Sequence, residues 1–187
     1  MLQRINTLFY FQYFPKDIHG TEKKFHTTKA YVYDNPHEQA GVKESCRLEK
    51  VGLVGFHIGT KVKGNPQWIW STFEHVDNAP TKNKPIDRTH YNYFKVNCNN
   101  CAAVNTPPPR PWDPAIPHTQ PSQVMRVIPI DAATKKLNKR YQKALRLVNA
   151  NSVWANYELI STQWPTDANS VVDPTGIPAP MFLANTT

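Results

Sequence analysis

Nothing in this 187-residue sequence is apolar for the roughly 18 residues that a membrane-crossing helix requires. The N-terminus, Met1 to Phe14, carries one positive charge and an aromatic run, but no leucine-rich core and no small-residue cleavage site. Neither a signal peptide nor a membrane span is therefore expected. Also missing are Gly-x-Ser-x-Gly, His-Glu-x-x-His, a phosphate-binding glycine loop and a dinucleotide fingerprint; His37-Glu38 has no second histidine. Those absences weaken the standard hydrolase, metalloprotease, kinase and dehydrogenase readings. Acidic residues are scarce, 14 against 22 lysines and arginines, and the net charge is +8. The excess is local: Lys135, Lys136, Lys139, Arg140, Lys143 and Arg146 face only Asp131 within residues 131–149, so that segment supplies +5 and the remainder +3. No zinc-finger spacing, arginine-rich tail or aromatic RNA-binding signature accompanies it, and nucleic acid is not the expected partner.

Proline, by contrast, is abundant. The 17 prolines are about twice the usual share of roughly 5%. They cluster at 107–129 and 165–180, where they exclude long helices and leave ordered loops or linkers. Between them lie strand-like segments. Thr27 to Tyr33 is β-branched and aromatic and stops at Asp34-Asn35-Pro36; Val51 to Ile58 is a nearly continuous apolar run; turn chemistry at Lys63-Gly64-Asn65-Pro66 then folds residues 67–76 back as the second arm of an antiparallel hairpin. Val124 to Ile130 and Val153 to Thr162 read as further strands. The one good helix lies between those two, with Ala144, Leu137, Val148, Tyr141 and Leu145 in one packing arc and all six basic residues within about 140° on the other side.

The densest candidate chemistry is the run Trp68-Ile69-Trp70-Ser71-Thr72-Phe73-Glu74-His75-Val76-Asp77-Asn78. Alternation places Trp68, Trp70, Thr72 and Glu74 on one face and Ile69, Ser71, Phe73 and His75 on the other, so both faces need cover. Trp68 and Trp70 are candidates for ligand stacking, and Glu74, His75 and Asp77 for acid and base work in a carbohydrate-binding or lyase-type site. His57 and His75, on paired strands, are the weak metal candidates. Three cysteines, Cys46, Cys98 and Cys101, permit one disulfide with a spare thiol, or no bridge. Cys98-Asn99-Asn100-Cys101 has the spacing of metal sites and redox pairs, but Ala102 follows instead of histidine, which rules out c-type haem attachment there. The leading reading is a structural disulfide whose pairing the sequence leaves open, Cys46 with one member of that pair being one option; a metal site and plain thiols are the alternatives.

Taken in order, several segments resemble a known family. Gly52-Leu53-Val54-Gly55-Phe56-His57-Ile58, Pro66-Gln67-Trp68 onward to Asn78, the Cys98 region to Asn105-Thr106-Pro107-Pro108, Val124-Met125-Arg126-Val127, Ser152 to Tyr157, Ser161-Thr162-Gln163-Trp164-Pro165 and Leu183 to Thr187 are similar to uncharacterised bacterial proteins of the cytochrome c family. The resemblance spans Phe25 to Thr187. It implies a β-rich, non-catalytic module supporting electron transfer, a periplasmic or secreted location, and haem c on a C-terminal Cys-x-x-Cys-His segment. That segment and the family's upstream portion are lacking here, so the chain looks like a truncated homologue with no haem cofactor of its own, cytoplasmic if expressed as written. The expected partners are an acidic redox protein or the missing haem-bearing segment, with self-association through an exposed sheet edge.

The expected fold is mainly β: an antiparallel sandwich or jelly-roll-like sheet with one amphipathic helix at about 131–149 and long proline-rich loops. Residues 25–165 form the β-rich domain, 1–24 a poorly matched N-terminal segment, and 166–187 a proline-containing tail.

Overall fold

β-branched and aromatic residues concentrate where the chain is extended, and the longest such segment organises the rest. The computed structural model describes residues 2–13, 22–33, 45–63, 67–107, 109–110, 116, 118–167 and 178–179. Strand β3, Cys46–Val62, is the spine. Along one edge it pairs with β1, Leu2–Tyr13, from Leu2 opposite Val62 to Tyr13 opposite Val51. Its other edge is shared end to end by β2, Thr27–Tyr33, opposite Gly52 to Cys46, and β4, Ile69–His75, opposite Thr60 to Gly55. β5, Tyr157–Pro165, pairs with β4, and the two-residue β6, Pro178–Ala179, pairs with the end of β5. Every pairing is antiparallel.

The fold is thus mainly β, with one antiparallel sheet and one helix, as expected. Among the described residues the strands join in a single sheet, and no second β layer completes a sandwich. Residues 2–13, set apart in the sequence, are an edge strand of this sheet. The turns anticipated at 34–36 and 64–66, and the tail at 168–177 and 180–187, lie outside the described residues.

Both faces of β4 are covered. On one, Phe73 stacks on Phe56 across the strand pair at 4.8 Å, Tyr141 meets Phe73 edge-on, and Trp154 and Tyr157 close around Phe56. On the other, residues 76–107 and 118–130 fold back as irregular chain rather than as strands. Val124 to Ile130 was expected to be extended and paired, yet it makes only an isolated bridge, Arg126 with Thr81. Pro121 precedes it and Pro129 lies within it, neither offering a donor. Its backbone groups bond to chain distant in sequence: Val124 N–H donates to the Tyr93 carbonyl, and the bridge itself is made by Arg126 N–H to Pro80 and Lys82 N–H to Arg126. Loop residues Asn83, Asn97 and Asn105 take positive φ, which asparagine tolerates better than most side chains.

Helix α1, Ala132–Val148, starts where Asp131 caps it by accepting from the Thr134 N–H and hydroxyl. Its packed side differs from the expected one. The inward residues are Asn138, buried, with Thr134, Tyr141, Gln142 and Leu145 half-buried, while Leu137, Ala144 and Val148 are exposed. The face is rotated because α1 docks beside β5 through polar groups. Asn138 donates to the Leu159 carbonyl at 2.9 Å and accepts from its N–H at 2.8 Å; Tyr141 and Gln142 both donate to the Tyr157 carbonyl. An amide side chain here replaces the ladder that a further strand would supply to β5.

Candidate functional site

Glu74, His75 and Asp77, the candidates for acid and base work, are carried by the end of β4 into the interior. Thr72, Glu74, His75 and Asn78 are 0% exposed and Asp77 only 4%. Glu74, on the loop-covered face, accepts from Arg126 at 2.9 Å, and the same guanidinium reaches Glu158 on β5 at 3.3 Å. Burial pushes the Glu158 carboxyl above its ordinary value, against the opposing pull of Arg126. Tyr93 is driven upward by burial and then by the nearby Glu74 charge.

His75 lies on the opposite face, stacked on Phe25 at 3.8 Å and meeting the Tyr157 ring edge-on. Both ring nitrogens are occupied. Nε2 donates to the Lys24 carbonyl at 3.2 Å, while Nδ1 accepts from the Asp77 N–H at 3.1 Å, which defines the neutral tautomer. Burial lowers its pKa to about 4, although the Asp77 carboxylate pulls it upward. Asp77 itself is held by Lys24 at 3.0 Å and Arg88 at 2.8 Å. Asn78 donates to the Val54 carbonyl and accepts from Asn92. These side chains bind four chain segments together, and each named polar group is committed to a protein partner.

His57, the other metal candidate, is on the face of Thr72, whose hydroxyl lies 2.7 Å from its Nδ1. His57 and His75 therefore sit on opposite faces and do not converge. Among the described residues no three His, Cys, Asp or Glu side chains gather into a group able to hold a metal. Trp68 and Trp70 are half-buried with ring centroids 6.2 Å apart, and both lie over Gly59, where a Cβ would come within 3.0 Å of the Trp70 ring. Lys61 sits over the Trp68 ring at 5.8 Å. These tryptophans pack on backbone at the far end of β4 from Glu74.

The sequence left the cysteine pairing open, and the structure shows it. Cys98 bonds to Cys101, and Cys46 is a free, exposed thiol at the start of β3. A bridge between near neighbours in sequence closes a very short loop, worth about 2 kcal/mol by loop-closure entropy, and fastens no distant segments. Gln123, 5% exposed, directs its Nε2 to the Cys101 Sγ at 2.9 Å. Two clefts of about 440 Å³ each meet at Ser122 beside this bridge, one lined by Tyr91, Tyr93 and Lys95, the other by Ala102, Arg110 and His118.

A third surface is basic. Lys135, Lys136, Lys139, Arg140 and Lys143 are exposed along α1, and none forms an ion pair with an acid among the described residues. Arg146 instead donates to the Ala155 carbonyl and the Asn156 side chain. No helix among the described residues is long and apolar enough to cross a membrane.

Arg126, Glu158, Gln123 and Asn138 were not singled out in the sequence. Arg126 could have been: a lone cation in Val-Met-Arg-Val must find an acid if its segment is covered. The rest carry no local signal, because their partners lie 21 or more residues away. No protein-family model, curated protein or solved structure matches this chain, so the cytochrome c-like resemblance rests on its sequence segments alone.

Proposed function

We propose that this protein is a non-catalytic β-rich docking module whose α1 presents a basic face to an acidic protein partner. The observation that carries the reading is the set of five exposed cations on one side of a helix whose other side is fixed to β5. Opposed charge fields speed encounter and set orientation. The enclosed Glu74, His75 and Asp77 support a non-catalytic role, since each is spent on holding the fold. On the family resemblance, the partner is an acidic redox protein or a haem-bearing segment, and the setting periplasmic; the Cys98–Cys101 bridge suits an oxidising compartment.

The test uses poly-L-glutamate as probe beside a duplex DNA of equal charge. Binding to polyglutamate should weaken steeply with salt and disappear in the K135E/K136E/K139E/K143E variant. Undiminished binding by that variant, or a tenfold preference for the DNA, would overturn the reading.

Self-association has its own support. Where β2 and β3 run beyond the rest of the sheet they form a two-stranded ribbon. Tyr31 is opposite Leu48 and Tyr33 opposite Cys46, so these residues share a face, on which the two tyrosines and the leucine are 66%, 68% and 54% exposed. Over Cys46 to Lys50 no described strand pairs with the other edge of β3. Two copies laid antiparallel and centred on Leu48 would set Arg47 of each opposite Glu49 of the other. Sedimentation equilibrium should show a dimer that Leu48→Lys converts to monomer. A wild-type monomer at several hundred micromolar would refute it.

A further inference from the structure

The bridge between Cys98 and Cys101 explains little as a structural tie, yet its surroundings are specific. Both cysteines are only half-buried, in an irregular stretch from residue 88 to 107 that contains Arg88 and Lys95 and no acid. One sulfur has a dedicated donor. Gln123 is buried, and its amide is fixed at both ends: the Lys95 N–H donates to Oε1 at 2.9 Å, while Nε2 donates to the Ser122 carbonyl at 3.2 Å and to Cys101 Sγ at 2.9 Å. A neutral disulfide sulfur is a weak acceptor, whereas a thiolate is a strong one. The donor therefore gains most once the bridge opens and charge collects on Cys101.

From this geometry we propose that Cys98–Cys101 is a thiol–disulfide exchange site that oxidises dithiols, with Cys98 as the sulfur attacked and Gln123 stabilising Cys101 as the leaving thiolate. The inference stands apart from the docking role of α1 and adds to that non-catalytic module a stoichiometric exchange, which consumes one bridge per dithiol oxidised. In the first step a substrate thiolate attacks Cys98 Sγ. A new sulfur–sulfur bond forms, the Cys98–Cys101 bond breaks, and its electron pair departs on Cys101 beneath the Gln123 amide. In the second, the substrate's other thiolate attacks its own sulfur in the mixed disulfide and expels Cys98. The substrate leaves as a disulfide, and both electrons reside on the Cys98 and Cys101 thiols. The clefts that meet at Ser122 are lined by Ala102, next to Cys101 in the chain, and by its donor Gln123, though by neither cysteine itself, and they offer an extended peptide room next to those two residues.

The test uses the full chain carrying Cys46→Ser, which removes the exposed third thiol. Dithiothreitol should reduce the bridge while the far-ultraviolet circular dichroism stays native. Brief exposure to glutathione followed by alkylation should leave glutathione on Cys98 and the alkyl group on Cys101. Gln123→Leu should slow reduction roughly tenfold and shift the equilibrium with glutathione by a similar factor, about 30 mV, toward the disulfide. A bridge that opens only in denaturant, or glutathione found on Cys101, would overturn the proposal even if Gln123→Leu fails to fold. A folded Gln123→Leu protein with unchanged rate and equilibrium would do so as well.

Discussion

At the scale of single residues, His75 shows how burial turns a titratable group into a structural one. Its pKa is depressed, so the stability that goes with the neutral ring is complete above the ordinary value of 6.5 and is lost as pH falls toward about 4. A shift of that size corresponds to about 3 kcal/mol. Urea denaturation between pH 7 and 4 should therefore show wild type losing stability relative to His75→Gln, which does not titrate; parallel pH profiles would disprove the assignment. Glu158 acts in the opposite sense. Its raised value favours the fold below the usual carboxylate range and less so as pH rises, and it is common to both proteins, so the difference isolates His75. Arg126 invites a second measurement. Replacing it with Met leaves the wholly enclosed Glu74 without its guanidinium, at a cost of about 3–5 kcal/mol. Adding Glu74→Gln should restore most of that loss, because the uncompensated charge, rather than the missing contact, dominates the penalty.

At the scale of elements, α1 is held to β5 by hydrogen bonds more than by apolar surface. Asn138→Leu strips both Leu159 backbone groups of their partner and should cost about 2–4 kcal/mol, two buried groups at 1–2 each. Asn138→Asp keeps the acceptor but turns a buried carboxylate against the Leu159 carbonyl, so at neutral pH it should destabilise at least as much as Asn138→Leu. Light scattering gives an independent readout, since a β5 edge freed of its cover is a template for aggregation. Asn105 uses the same device on Met125, accepting from its N–H and donating to its carbonyl. This is where sequence reading reached its limit. The periodicity of 131–149 revealed a helix, and β-branched runs marked β2, β3 and β4 with their hairpin pairing. Which side of α1 faces inward was not legible, because hydrophobic periodicity presumes apolar docking and Asn138 has no weight in it. Residues 124–130 misled for a related reason: Val, Met and Ile fit a strand, but Pro129 and hydrogen bonds to Tyr93, Pro80 and Lys82, distant in sequence, let them serve as cover.

At the scale of the whole molecule, the candidate site was only half legible. Trp68 to Asn78 stood out as the most unusual stretch, but whether Glu74 and His75 met solvent or protein depended on Arg126 and Lys24, 52 and 51 residues away in sequence. Charge told more. The excess on α1 was plain from composition, and its exposure followed from the docking of the opposite side. The strand order has a further consequence, one of time. β4 finds its outer neighbour only when Gln163 comes to lie against Trp70, after the loop, helix and turn between them have been made. During synthesis Phe73 and Glu74 wait, with half their sheet missing, while more than eighty residues emerge. A nascent chain of this protein is thus most vulnerable just before β5 emerges, and slowing translation between residues 75 and 157 should lower soluble yield more than slowing it earlier.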